Sequence, residues 1–274
     1  MWQHWTDAVG VLRSWIAELN GNAKTATIAA AVATGTGLAA AVYIVWTTDR
    51  SEQIAEGMNA LGVEYDELMT DHKRKLFGEL QSLKDARGDG RLVLLEIGCA
   101  GGHNFKYYPA GSELICVEPN PHHKATLYRG VGEHPGLQIS AYHVSSAENL
   151  RDVQSAGSVD AVISTLVLCT VSDPEQCVQE IIRVLKPGGK WYFMEHVRAP
   201  PRFYVVRFMQ KVFNFAWSLY YDGCHVARSP QHHIRKAGFS RVDIKDFEAH
   251  ELMQTRLAYG VRLVRSHISG TATK

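Results

Sequence analysis

A regular alternation of strand and helix signals, which begins at Arg91 and continues almost to the C-terminus, constrains the fold more than any other feature. Short apolar runs alternate with helical stretches such as Pro174–Leu185 and Ser229–Ala237. Such alternation predicts a Rossmann-like α/β fold, with a seven-stranded, mostly parallel sheet and helices on both faces. The last two strands have only a short loop between them, which predicts an antiparallel terminal hairpin. The predicted strands are Leu92–Ile97, Glu113–Glu118, Leu137–His143, Val159–Ser164, Lys190–His196, Arg241–Lys245 and Arg256–Arg265.

The first quarter of the chain has a different pattern. Apolar residues of segment 1–20 recur at three- and four-residue steps, which predicts an amphipathic helix at a membrane interface or docked on the protein's own core. No charge occurs between Lys24 and Asp49, and about 20 residues of helix cross a bilayer's hydrocarbon layer. Residues 25–48 therefore predict a hydrophobic membrane-anchor helix, with a buried Ala-rich helix as the alternative. The predicted domains are 1–48 for the amphipathic and anchor helices, 49–90 for a helical lead-in and linker, 91–265 for the α/β domain and 266–274 for a tail.

Composition argues against several functional classes. The net charge of +1 gives no nucleic-acid footprint. No CxxC pair occurs, so neither a metal site nor a disulfide framework is expected, and a reducing environment is predicted. The five cysteines are widely spaced, at Cys99, Cys116, Cys169, Cys177 and Cys224.

The loop after the first predicted strand, in LLEIGCAGGHNF (residues 94–105), indicates the ligand. A dinucleotide fingerprint needs glycine at 98, 100 and 103, and only Gly98 matches. A loop for S-adenosylmethionine has the form acid-x-G-x-G-x-G, and Glu96, Gly98 and Gly102 match it. Ala100 is the mismatch, because it carries a Cβ where the backbone should be bare. Glu96 also suits the ammonium of a methionyl group, whereas a pyrophosphate prefers a helix N-terminus.

Further residues at the ends of the following strands complete the predicted cofactor site. Glu118 ends the second strand, where a carboxylate can bind both ribose hydroxyls; NAD enzymes use the same device. The segment SSAENL follows the third strand and is expected near the adenine. The predicted cofactor-binding residues are Glu96, Gly98, Cys99, Ala100, Gly102, Asn104, Glu118, Pro119, Asn120, Ser146, Ala147, Glu148, Thr165 and Leu166.

Several longer motifs carry a family resemblance. LLEIGCAGGHNFKYYPAG, CVEPNP, STLVLCTV, RVLKPGGKWYFMEHV and DGC together resemble the membrane-associated alkyl thiol S-methyltransferases, within the class I S-adenosylmethionine-dependent methyltransferases. The resemblance covers roughly residues 66–265. It implies methyl transfer from S-adenosyl-L-methionine to small hydrophobic thiols, by a catalytic domain that faces the cytosol from the endoplasmic reticulum membrane or a lipid droplet. The chain departs from the family at Ala100, where the family has glycine, and in a longer N-terminal segment that is richer in alanine.

The acceptor side is less defined by sequence. His196 ends the fifth strand, where it is expected either to accept the thiol proton or to be structural. Asp222 is expected to orient a base or to hold a lid. The aromatic segment 202–224 predicts a lid or pocket wall for an apolar acceptor, or a helix that covers the core. Cys224 and Cys99 are expected to be packed rather than reactive.

Two other functions remain open at this level. The first is methylation of an oxygen, nitrogen or carbon atom of a lipid or quinone, which the glycine-rich loop does not distinguish from thiol methylation. The second is a non-catalytic cofactor-binding protein of a membrane or lipid droplet, which Ala100 favours. An NAD-dependent oxidoreductase is disfavoured by His103, which lies where that fingerprint needs glycine.

Overall fold

A seven-stranded sheet organises the part of the chain that the structure, a computed structural model, describes: residues 50–254 and 262–274. The strand order is β3-β2-β1-β4-β5-β7-β6, and only β7 runs antiparallel to its neighbours. The predicted mostly parallel sheet with an antiparallel terminal pair is confirmed. The strands are β1 (Leu92–Ile97), β2 (Ser112–Val117), β3 (Gln138–His143), β4 (Val159–Thr165), β5 (Leu185–His196), β6 (Arg241–Glu248) and β7 (Ser266–Thr273).

Helices cover both faces of this sheet, as the alternation in the sequence predicts. Side chains alternate along β1, so that Leu94 packs with Phe77 on one face while Leu95 packs with Ile181 on the other. The helices among the described residues are α1 (Ser51–Leu68), α2 (Thr70–Phe77), α3 (Glu79–Asp85), α4 (Lys124–Gly132), α5 (Pro174–Val184), α6 (Tyr204–Tyr220) and α7 (Gln231–Lys236).

Residues 51–90 of the predicted lead-in belong to the same compact unit as the sheet, Ser51–Lys274, and form α1, α2 and α3. A buried ion pair joins the first two helices, with Lys73 Nζ 2.8 Å from Asp66 Oδ1. Lys106, which follows the loop after β1, reaches the other oxygen of Asp66 at 2.5 Å. This arrangement fixes α1 beside the loop that the sequence assigns to the cofactor.

The position of the last strand differs from the prediction. Residues 256–261 of the predicted strand lie outside the described residues, residues 262–265 are not strand, and the expected tail instead forms β7 (Ser266–Thr273). β7 lies between β5 and β6 and pairs with both, so backbone hydrogen bonds on two sides secure a segment with few strong apolar residues. A strand that is held mainly by backbone pairing does not need alternating apolar side chains. The sequence of β7 therefore lacks the periodicity that predicts a strand, and the prediction fell on the preceding, more apolar residues.

The predictions for residues 1–48, an amphipathic helix and a hydrophobic anchor helix, fall outside the described residues. Among the helices that the structure does describe, none has the length and apolar character needed to cross a membrane.

The sheet has a topological switch point between β1 and β4, since the chain proceeds outward from β1 through β2 and β3 and then returns to β4. In open α/β sheets, ligands bind beyond the carboxyl ends of the strands at such a point. The loops after β1, β2, β3, β4 and β5 all leave the sheet at this edge, and these are the loops in which the sequence predicts the site.

Candidate active site

A cavity of about 490 Å³ opens at this edge of the sheet. Its volume lies within the range of small-molecule sites, about 300–1,000 Å³. Residues of α1, α6 and the segment before β7 complete walls that the strand-end loops begin. All the predicted cofactor-binding residues line the cavity except Gly102 and Asn120, and both predicted catalytic residues, His196 and Asp222, line it as well.

One end of the cavity presents two buried acceptor atoms without partners. The Asn104 side chain donates to Glu96 Oε1 at 2.8 Å and to Thr165 Oγ1 at 3.2 Å. Glu96 Oε2 and Asn104 Oδ1 have no hydrogen-bond partner among the described residues. Burial raises the pKa of Glu96 to about 7. Buried acceptors of this kind call for a donor, and the ammonium of S-adenosylmethionine fits them.

Glu118 lies just beyond β2 and is buried, with only 5% of its surface exposed. Its Oε2 accepts from the Ala100 backbone N–H at 3.0 Å and its Oε1 accepts from the Asn120 N–H at 3.1 Å. Burial raises the pKa of this carboxyl group, and the two backbone hydrogen bonds oppose the rise. Each oxygen keeps a further acceptor site, so the carboxylate can bind a ribose diol while it holds two loops together.

The loop after β1 depends on left-handed backbone conformations. Gly98, Ala100 and Gly102 have φ angles of 63°, 41° and 81°. A side chain disfavours this region, which explains why the cofactor-loop pattern has glycine at all three places. Ala100 keeps the conformation despite its Cβ, and its N–H still reaches Glu118.

Gly102 and Asn120 are not among the residues that line the cavity, and their part in cofactor binding stays a prediction. The Gly102 N–H donates to Cys99 O at 2.8 Å and closes the loop, and a Cβ at this glycine would meet the Phe105 ring at 2.5 Å. The Asn120 side chain donates to Ser51 O at 2.7 Å, next to the start of α1. Both residues therefore shape the loops that carry the site.

Glu148 lines the cavity, but its carboxylate is already engaged. Its Oε1 accepts from the backbone N–H groups of Ser172 and Asp173, at 2.5 and 3.2 Å. Asp173 in turn caps α5, accepting from Glu175 N at 2.9 Å. Glu148 therefore fixes the loop after β4, while the neighbouring Ser146 and Ala147 line the cavity, and their contact with the adenine stays a prediction.

A histidine and two cysteines also meet in the wall of this cavity. His196 is buried, and its Nε2 lies 3.1 Å from Cys224 Sγ, while its Nδ1 has no partner among the described residues. The donor atoms of Cys169, His196 and Cys224 all lie within 4.8 Å of one another. Burial opposes protonation of the imidazole, but the neighbouring Cys169 and Glu195 raise the pKa of His196 above its usual value. The general-base role of His196 stays a prediction.

Glu195 supports this cluster from the end of β5. It is fully buried, accepting from Ser164 Oγ and from the Leu168 N–H, both at 3.0 Å. Burial raises the pKa of Glu195 to about 8. The carboxyl group thereby fixes the loop after β4, on which Cys169 lies, relative to the end of β5, on which His196 lies.

Asp222 does not orient His196. It lies on the exposed rim of the cavity in a left-handed conformation, with a φ of 47°, and forms no hydrogen bond with the imidazole. Although the residue as a whole is exposed, partial burial raises the pKa of the Asp222 carboxyl group. The tight turn at 221–223, which connects α6 to Cys224, accounts for this position, so a part in shaping the lid fits it better than a part in orienting a base.

Two cavity residues, Tyr65 and His267, lie outside every motif that the sequence analysis singled out. The Tyr65 hydroxyl of α1 is buried without a partner among the described residues. Since a carbonyl can only accept, His267 of β7 donates through Nδ1 to Arg265 O at 3.0 Å, and its Nε2 is an unpartnered acceptor. Burial lowers the pKa of His267 to about 3. Trp217, which also lines the cavity, belongs to the aromatic segment 202–224 that the sequence predicted as a lid or pocket wall.

Comparison with known proteins agrees with this geometry. A family model described as a methyltransferase domain matches residues 95–193. Thiol S-methyltransferase TMT1A of Homo sapiens is 40% identical over 212 residues, which cover 77% of this chain and 82% of that protein. Thiol S-methyltransferase TMT1B of Rattus norvegicus is 38% identical over 177 residues, which cover 65% of this chain and 71% of that protein.

Solved structures share the fold at low sequence identity. A chain from the complex between the Haloferax volcanii Trm112 methyltransferase activator and a methyltransferase matches with a TM-score of 0.52 and 16% identity, covering 83% of this chain and 98% of that one. Geranyl diphosphate C-methyltransferase from Streptomyces coelicolor, in complex with S-adenosyl-L-homocysteine, matches with a TM-score of 0.51 and 15% identity, covering 72% of this chain and 78% of that one.

Proposed function

The chain belongs to the thiol S-methyltransferase family of S-adenosylmethionine-dependent methyltransferases, and on that premise we propose that it methylates small hydrophobic thiols at a membrane surface. The observation that carries the proposal is that one cavity is lined both by unpartnered carboxylate and amide oxygens and by a buried imidazole–thiol cluster. Cofactor and acceptor can therefore meet without exposure to bulk water.

The cofactor end is built to hold and orient S-adenosylmethionine, which supplies a methyl group already activated on a sulfonium. In this proposal Glu96 and Asn104 accept from the ammonium, and Glu118 accepts from the ribose hydroxyls. Between these two sets of contacts, the backbone at Gly98 and Ala100 allows the cofactor to approach the loop closely. Because the methyl group needs no further activation, the main tasks of these residues are alignment and exclusion of water.

The acceptor end suits a soft, apolar nucleophile. A thiol reacts as its thiolate, and with a pKa of about 8.5 only a few per cent is ionised at neutral pH. We place the acceptor sulfur beside Cys169, His196 and Cys224, and its alkyl chain against Trp217 and neighbouring apolar side chains.

The membrane part of the proposal rests on the unusual orientation of α6. Its two amide side chains point inward: Gln210 is fully buried, accepting from Ala199 N at 2.9 Å, and Asn214 contacts His225 at 2.9 Å. Its apolar side chains point outward, with Tyr204, Phe208 and Phe215 exposed by 75%, 65% and 69%. A helix that exposes aromatic residues and buries amides is suited to an apolar surrounding rather than to water.

We propose that this outward face of α6 lies in the interface of a bilayer or lipid droplet, and that the catalytic domain faces the cytosol from the endoplasmic reticulum or a lipid droplet. Trp217 of the same helix lines the cavity, so an apolar acceptor could enter from the lipid. Amide hydrogen exchange of the full chain provides the test: phosphatidylcholine vesicles should slow exchange across α6 and leave α1 unchanged. Equal exchange with and without vesicles would contradict the proposal.

The methylation proposal is tested with acceptors that differ in one atom. The purified full chain is incubated with S-adenosylmethionine and an equimolar mixture of hexanethiol, hexanol and hexylamine. The methylated products are then identified and quantified by mass spectrometry. We expect the methyl thioether to dominate. Predominant methylation of the alcohol or the amine would favour a lipid or quinone methyltransferase. Binding of S-adenosylhomocysteine by calorimetry without transfer to any acceptor would favour a non-catalytic protein.

A further inference from the structure

The cluster of Cys169, His196 and Cys224 has the composition and the compactness of a metal site. The three residues come from the loop after β4, the end of β5 and the segment after α6. All three are buried, and their donor atoms lie within 4.8 Å of one another, with His196 Nε2 3.1 Å from Cys224 Sγ. In a tetrahedral zinc site with Zn–S of about 2.3 Å and Zn–N of about 2.0 Å, donor atoms lie roughly 3.5–3.8 Å apart. Small side-chain shifts would therefore suffice to enclose an ion.

The ligand set selects the metal. Two thiolates and one imidazole form a soft donor set, which suits zinc and disfavours magnesium or calcium. No fourth histidine, cysteine or carboxylate joins this group within the part of the chain that the structure describes. Three protein ligands with one open position are characteristic of catalytic zinc, whereas structural zinc is closed by four. All three ligands line the cavity, so the open position would face the acceptor.

The surrounding charges allow a divalent cation. The Arg228 guanidinium donates to the carbonyls of Leu168 and Val171, beside the loop that carries Cys169. The two ligand thiolates and the acceptor thiolate together carry three negative charges, which Arg228 and a divalent ion balance. Buried charge is tolerated when it is compensated in this way.

We propose that Cys169, His196 and Cys224 bind one zinc ion, whose open position takes the sulfur of the acceptor thiol. The inference rests on the proposed thiol methylation and adds to it the means by which the thiolate forms at neutral pH. On coordination the thiol proton leaves to solvent, and the metal-bound sulfur then attacks the sulfonium methyl carbon. The new S–CH₃ bond forms as the carbon–sulfonium bond breaks, with its electron pair passing to the departing sulfur. His196 is then a metal ligand, which is neither of the two roles, proton acceptor or structural imidazole, that the sequence left open.

The metal itself is the first readout. The full chain, purified without chelators, should contain one zinc per chain by elemental mass spectrometry. Replacement of the zinc by Co²⁺ should produce thiolate-to-cobalt charge-transfer absorption in the near ultraviolet. Cys169→Ala and Cys224→Ala should each lower the zinc content by at least about tenfold, as expected for loss of a direct ligand. Cys177→Ala is the matched control, since Cys177 is equally buried but packs in the core on α5, and it should keep its zinc.

The variants are checked for folding by calorimetric titration with S-adenosylhomocysteine, which in the proposed function binds to Glu96, Asn104 and Glu118. The metal proposal is overturned if the wild-type chain holds no zinc and gives no cobalt charge-transfer band, or if Cys169 and Cys224 form a disulfide in the anaerobically purified protein. A zinc-free chain that still methylates hexanethiol would overturn the metal site and leave the proposed function intact. A zinc-loaded chain that methylates no thiol would overturn the proposed function while the metal site stands.

Discussion

Replacement of Glu118 by alanine is the sharpest test of the cofactor site. Glu118 is the residue through which the loops after β1 and β2 are joined, because its two oxygens accept from Ala100 N and Asn120 N at 3.0 and 3.1 Å. With one acceptor position left on each oxygen, the carboxylate can bind both ribose hydroxyls. The substitution therefore removes two contacts to the ligand and two within the protein.

The expected magnitude follows from these contacts. A hydrogen bond to a charged group contributes about 1.5–3 kcal/mol. Loss of two such bonds to the ribose costs at least about 3 kcal/mol, which is roughly a hundredfold increase in Kd. Loss of the two backbone contacts loosens the loops further, so we regard a hundredfold as the lower bound.

Isothermal calorimetry with S-adenosylhomocysteine measures this effect directly. Glu113→Ala is the matched control, because Glu113 lies on the same strand but pairs with Arg91 at 2.9 Å on the protein surface. It should bind the ligand as the wild type does. A folded Glu118→Ala variant with unchanged affinity would refute the assignment of the ribose to Glu118, and with it the placement of the cofactor.

Three further predictions concern single positions. Ala100→Gly should stabilise the protein by up to about 1 kcal/mol by relieving the left-handed φ of 41°, a rise in Tm of roughly 2–4 °C, whereas a lower Tm in thermal unfolding would contradict the strain. Burial raises the pKa of Glu96 to about 7, so below that pH it is mostly neutral and cannot pair with the ammonium. Affinity for S-adenosylhomocysteine should therefore fall by up to about tenfold per pH unit below about pH 7 and stay flat above it, and Glu96→Gln should abolish this dependence in calorimetry. Lys73→Met removes the 2.8 Å partner of Asp66 but leaves Lys106 on the other carboxylate oxygen, so the free energy of unfolding in urea should fall by about 1–3 kcal/mol; an unchanged value would show that the pair is not needed.

The fold was largely readable from the sequence, because its signals are local. Apolar runs such as Leu92–Ile97 form strands at the predicted positions. A strand that is covered by helices on both faces buries nearly all its residues, so a continuous apolar run is enough to indicate it. The last strand was misplaced because β7 is held between β5 and β6 by backbone pairing, which no side-chain periodicity reports.

The candidate site divides in the same way. The cofactor end was predicted because its residues lie in short loops after strands, so that spacing along the chain approximates spacing in the molecule. Ala100 and Glu118 are 18 residues apart in sequence but hydrogen-bonded, and the parallel pairing of β1 with β2 makes that contact foreseeable.

The acceptor end was found only in part in this way, through His196 and the aromatic segment 202–224. Cys169, His196 and Cys224 come from separate elements, so no CxxC-type spacing announces them, and the sequence argued against a metal site. His267 and Tyr65 reach the same cavity from β7 and α1. The sequence by itself determined the sheet, the cofactor loop and the class of chemistry, because these depend on local pattern. Only the tertiary structure decided which distant side chains share one water-poor cavity, because burial and close contact between separate elements arise from packing alone.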